Sequence, residues 1–109
     1  MNLNEISSVN RARCRRWHDG GDPWMASDWS NALAGEVGEL CNIIKKIRTY
    51  NTPSTGELIP KLKDEIADVF LYLDLVAAHF GLNLEDCIFP KFNLVSEAQG
   101  FPERLPAEE

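Results

Sequence analysis

Two stretches of this chain carry the same helical signature. Glu36-Val37-Gly38-Glu39 and Glu65-Ile66-Ala67-Asp68 each set two acids three residues apart, and Glu65 follows Glu36 by 29 residues. At that offset Leu33 pairs with Leu62, Val37 with Ile66, Leu40 with Val69, Ile44 with Leu73 and Ile47 with Val76. At about 100° per residue these apolar positions form one stripe on each helix, with both acids of a pair on its flank. A strand repeats every two residues and cannot produce this pattern. Two helices packed antiparallel through such stripes bring their acidic flanks towards each other.

Turn residues divide the rest of the chain. Asn2 or Asn4 is placed to cap a first helix running to about Trp17, with Ile6, Val9, Arg13 and Trp17 at helical spacing. His18-Asp19-Gly20-Gly21-Asp22-Pro23 breaks it. A second helix is expected from Ser27 or Asp28 to Tyr50, a loop over Asn51–Gly56, and a third helix from Lys61 to Phe80 with Gly81 in the C′ position. Asn83 caps a fourth helix, which Pro90 must start, kink or split and Gly100 ends. Strand patterns are absent. The expectation is an all-α, four-helix bundle forming a single domain over residues 1–109, with 101–109 as a loose tail.

Composition narrows the possible functions. With 109 residues, 44% hydrophobic and 26% charged, the chain is of ordinary globular make-up and small enough that oligomerisation would add useful stability. A net charge of −6 argues against a duplex-DNA partner, whose affinity rests on neutralising phosphates. The run Arg11-x-Arg13-x-Arg15-Arg16 scatters around a helix and forms no basic stripe. No apolar run approaches the roughly 18–20 residues of a membrane span, and MNLNEISSVNRARC lacks a signal peptide's apolar stretch, so a cytoplasmic protein is expected. Cys14, Cys41 and Cys87 are odd in number and far apart, and read as reduced, small buried residues.

An acid pair of this spacing is ordinarily a solvated flank. Here Glu36, Glu39, Glu65 and Asp68 border apolar residues and lack basic partners four residues on. Two carboxylates about 4 Å apart repel by roughly 4 kcal/mol at an effective dielectric near 20, so four gathered together need a cation or shifted protonation. An all-oxygen set suits Mg²⁺, with Mn²⁺ as a substitute, or Ca²⁺. Neither pair continues to the Glu-x-x-His of di-iron bundles, and no EF-hand loop is present. His79 shares the flank of Glu65 and Asp68 and could support the ligands from behind, although a structural or solvent-facing role is the commoner fate of such a residue.

Together these residues resemble the MazG-like, all-α nucleoside triphosphate pyrophosphohydrolases. The resemblance lies in Gly35-Glu36-Val37-Gly38-Glu39-Leu40, then Asp64-Glu65-Ile66-Ala67-Asp68-Val69-x-x-Tyr72-Leu73, and in Lys91-Phe92-Asn93 ahead of Gly100-Phe101-Pro102-Glu103-Arg104-Leu105. Arg16-Trp17-His18 before Asp28-Trp29-Ser30 adds to it, so that it spans residues 11–105. Gly35 stands where many members carry a further glutamate, as in the subset resembling dCTP pyrophosphatases. The resemblance implies hydrolysis of a (d)NTP between the α and β phosphates to (d)NMP and pyrophosphate, with Glu36, Glu39, Glu65 and Asp68 as Mg²⁺ ligands and catalytic residues. It also implies that Tyr72 and Asn93 lie beside the nucleotide, and that the protein is a dimer or dimer of dimers with sites partly shared between chains.

A triphosphate needs cations, and Lys46 falls on the acidic flank while Lys45 points away; Lys91 and Lys61 are further possibilities. Trp17 and Trp24 flank a Gly-rich loop and offer stacking faces for a base, whereas Trp29 lies in the apolar stripe and reads as core. On the third helix, Ala67, Leu71, Leu75 and Ala78 leave little polar surface beyond Lys63, Asp64 and Asp74, which points to burial on nearly all sides and at least a homodimer. Two rivals to the enzyme remain: a non-catalytic helical interaction module whose acids meet a basic partner, and a passive divalent-metal binder.

Overall fold

The computed structural model describes residues 1–18, 24–50 and 55–107; residues 19–23 of the expected turn at 18–23, 51–54 of the expected loop at 51–56 and 108–109 of the tail lie outside them. The described residues form four helices and no strand: α1 (Leu3–Trp17), α2 (Ala26–Tyr50), α3 (Thr55–His79) and α4 (Leu84–Gln99). No helix among them is long and apolar enough to cross a membrane.

Local chemistry sets the helix ends. Asn2, not Asn4, caps α1: its side chain accepts from the Glu5 N–H at 2.9 Å and the Glu5 carboxylate accepts from the Asn2 N–H at 3.2 Å, a reciprocal capping box. Asn4 instead donates to Glu85 on α4 at 3.0 Å. Asp28 lies inside α2, not at its start, and accepts from the Met25 N–H at 2.9 Å. Gly81 and Gly100 take the left-handed conformation, with φ of 69° and 73°, where a side chain would be strained. Each lets the next residue close its helix, Leu82 N–H to Ala77 C=O and Phe101 N–H to Ser96 C=O, both at 2.8 Å.

Two boundaries differ from expectation. α3 begins at Thr55, six residues before Lys61, and carries Pro60 inside it. The missing Pro60 N–H falls within the first two turns, where few intrahelical bonds have yet formed, and the helix tolerates the loss. α4 likewise runs through Pro90 without dividing. After Gly100 the chain is held at one point: the Asn93 amide donates to the Leu105 carbonyl and accepts from its N–H, both at 2.8 Å. The segment expected to trail loosely from 101 is therefore fastened to α4 at Leu105.

The packing revises the stripes. α2 and α3 form the most extensive helix pair, α1 lies on α3, and α4 meets α1. Between α2 and α3 the more buried positions are Trp29, Leu33, Glu36, Leu40, Ile43 and Ile47 on one side, and Leu62, Glu65, Val69, Tyr72 and Val76 on the other. Spacings of four and three give each helix a continuous seam. The 29-residue correspondence survives, but the seam runs through Glu36 and Glu65 themselves. Val37, Ile44, Ile66 and Leu73, expected inside, are exposed. α1 departs further: Ile6 and Val9 face outward, and its buried residues are Ser7 and Asn10.

Candidate metal and ligand site

Placing glutamates in an interhelical seam has a direct electrostatic consequence. One carboxylate oxygen from each of Glu36, Glu65 and Asp68 lies within 4.8 Å of the others. Glu39 adjoins them, acting on both Glu36 and Glu65. Loss of water raises the Glu36 carboxyl above its ordinary 4.5, and the charges of Glu39, Asp68 and Glu65 raise it further. Glu65 is raised too, by loss of water first, then by the neighbouring Glu39 carboxylate, and by the charges of Asp68 and Asp64. The Oε2 atoms of Glu36 and Glu65 are buried with no hydrogen-bond partner among the described residues. Buried acceptors are almost always satisfied, and two orphaned anionic oxygens beside further carboxylates form a donor set suited to a hard divalent cation.

Next to this cluster lies a cavity of about 400 Å³ whose lining includes Glu36 and Asp68. Aromatic rings form much of the remaining wall. Trp24 and Trp29 are tilted against each other with centroids 4.5 Å apart, His18 meets them edge-on at 5.6 Å and 6.0 Å, and Tyr72 lies 6.5 Å from Trp29. Trp17, at the end of α1, adds a further wall, and the Arg13 guanidinium sits 5.3 Å over its ring. Carboxylates on one side and ring faces on the other suit a ligand with a charged part and a flat apolar part.

Of the expected site residues, Glu36, Glu39, Glu65 and Asp68 come together, and Trp17, Trp24 and Tyr72 line the adjoining cavity. Lys46, Lys91 and Asn93 do not line it. Lys91 borders an apolar groove of about 530 Å³ between α3 and α4, and both polar ends of the Asn93 amide are engaged with Leu105. His79 is also elsewhere, with its ring edge-on to Phe80 at 5.3 Å. Trp29 is core, at 3% exposure, and a cavity wall as well. Cys41 and Cys87, read as buried, are exposed: one lies beside the open Val37 and Ile44, the other in the α3–α4 groove. Cys14 is half-buried against the cavity.

The sequence reading missed Asn10, Arg13 and His18 as cavity residues. A signal was present. Leu3, Ser7, Asn10, Cys14 and Trp17 follow alternating spacings of four and three, the register of a helix seam, but are too polar to stand out against Ile6 and Val9. Compared with protein-family models, curated proteins and solved structures, the chain has no match.

Proposed function

We propose that this chain is a Mg²⁺-dependent, MazG-like nucleoside triphosphate pyrophosphohydrolase, converting (d)NTP to (d)NMP and pyrophosphate. The observation that carries the reading is the pair of partnerless buried oxygens, on Glu36 and Glu65, at the edge of an aromatic cavity. Glu36, Glu39, Glu65 and Asp68 hold the ion; when bound, Mg²⁺ (or Mn²⁺) neutralises phosphate charge and acidifies water. Trp17, Trp24 and Tyr72 bind the base, and Arg13, the cavity's guanidinium, meets a phosphate in the role first given to Lys46 and Lys91. One of the four, Glu36 or Glu39, would orient or deprotonate the attacking water instead of holding the ion.

The same reading includes a second copy of the chain. The 12.3 kDa chain exposes 8071 Å², against about 6,100 Å² for a compact monomer of that mass. The open residues Val37, Ile44, Ile66 and Leu73 lie on the two helices that carry the acids.

The test is release of pyrophosphate from a panel of (d)NTPs, with Mg²⁺ present and then chelated. Turnover that stops on chelation, and that Glu65→Gln abolishes without loss of helicity, supports the enzyme. No turnover of any nucleotide, with Mn²⁺ still bound, would reassign the cluster to passive metal binding.

A further inference from the structure

Asp74 was expected on the polar surface of the third helix, yet it has no solvent exposure and is the largest fully buried side chain among the described residues. Its carboxylate accepts from Ser7 Oγ at 2.6 Å and from Asn10 Nδ2 at 3.0 Å, and pairs with Arg11 Nη2 at 3.3 Å. The Asn10 amide also donates to the Leu71 carbonyl at 2.9 Å, and Arg11 to the Leu82 carbonyl at 2.7 Å. α1 thus docks on α3 through a polar node, since Ser7 and Asn10 are its buried residues.

A buried carboxylate costs several kcal/mol in lost hydration, and apolar residues of similar volume often stabilise as well. A polar node does something an apolar contact does not: hydrogen bonds of fixed length and angle hold one rotation and one axial register of α1. That register matters because Asn10 lines the cavity and, at about 1.5 Å of rise per residue, Trp17 lies roughly 10 Å further along the helix. His18, at the helix end, closes onto Trp24 and Trp29. A slip at the node would carry Trp17 and His18 away from Trp24 and Trp29.

We propose that Asp74 is a positioning residue for the aromatic cavity: its buried bonds to Ser7, Asn10 and Arg11 set the register of α1 and so hold Trp17 and His18 in place against Trp24 and Trp29. This goes beyond the hydrolase reading and does not rest on it.

The chain's three tryptophans all line the cavity, so its intrinsic fluorescence reports on that cavity. Asp74→Asn turns one acceptor into a donor facing the Asn10 amide, and Ser7→Ala removes a single hydroxyl. In both variants the emission shifts to longer wavelength and acrylamide quenching rises as Trp29 gains access to solvent, the larger change in Asp74→Asn. Far-UV circular dichroism and Mn²⁺ affinity, read by electron paramagnetic resonance, stay at wild-type values because neither substitution touches Glu36, Glu39, Glu65 or Asp68 or a residue of the α2–α3 seam. Should Asp74→Asn lose its helicity, Ser7→Ala decides. Wild-type emission and quenching in the folded variants would overturn the proposal; so would a fall in Mn²⁺ affinity in step with the quenching change, which marks general loosening. The fluorescence arm needs neither metal nor turnover, so a wild-type chain that binds no Mn²⁺ would sink the hydrolase reading and leave this one to its own result.

Discussion

Glu36 and Glu65 are held in the seam at an electrostatic cost that a cation would remove. Glu65→Gln and Glu36→Gln should therefore raise the melting temperature of the metal-free protein, and Mg²⁺ should raise that of the wild type but not of the variants, both measurable by thermal melting with and without the ion. The pH dependence has a definite sign. Both carboxyls titrate above 4.5 in the folded chain, so between 4.5 and their raised values the folded state binds more protons than the unfolded one. The stability they contribute is full below 4.5 and is lost as pH rises through the folded values. Relative to the double Gln variant, the metal-free wild type should melt progressively lower across that window, and Mg²⁺ should remove the decline because it binds the deprotonated form. A difference that stays flat with pH would contradict the shared cause. The four acids were legible in sequence because their spacing is local. Asp74 was not, because a lone aspartate ordinarily belongs on the surface and the groups that satisfy it come from Ser7, Asn10 and Arg11, on a helix more than sixty residues earlier in the chain.

Helix ends were readable to within a residue or two where caps are chemical, as at Asn2, Gly81, Asn83 and Gly100. The start of α3 was not, because Gly56 and Pro60 both signal a break that the following turns override. Rotation about each helix axis was the harder quantity. Choosing Val37 over Glu36 follows from preferring apolar side chains and carries Ile44 in place of Ile43 with it; since Leu33, Leu40 and Ile47 belong to both faces, the change turns α2 by roughly 40°. One consequence for α2 is testable. Gly35 is exposed inside the helix, and a Cβ there would meet nothing within 4 Å. Gly35→Ala should stabilise the chain by about 0.5–1 kcal/mol, read as a higher melting temperature. A lower value would mean that a neighbour outside the single chain occupies that space.

The whole chain is open for its size. Its radius of gyration is 17.0 Å, against about 13 Å for a compact domain of this length. The surface excess over a compact monomer, about 2,000 Å², is comparable to what each partner buries in an obligate dimer. A dimer of this kind should sediment at twice the 12.3 kDa chain mass and melt at a temperature that rises with protein concentration. Leu73→Glu should remove both properties, and a wild-type melting temperature independent of concentration would argue for a monomer. What the amino-acid order determined alone was the helical class, the caps and the pairing of two acid motifs, because these depend on residues within a few turns of one another. Only the tertiary structure decided that Glu36 and Glu65 lie in the seam, that α1 docks by polar contacts and that the tryptophans share a cavity. Each of those depends on how one helix is rotated against another, and that angle is set by contacts between distant residues, which no local pattern encodes.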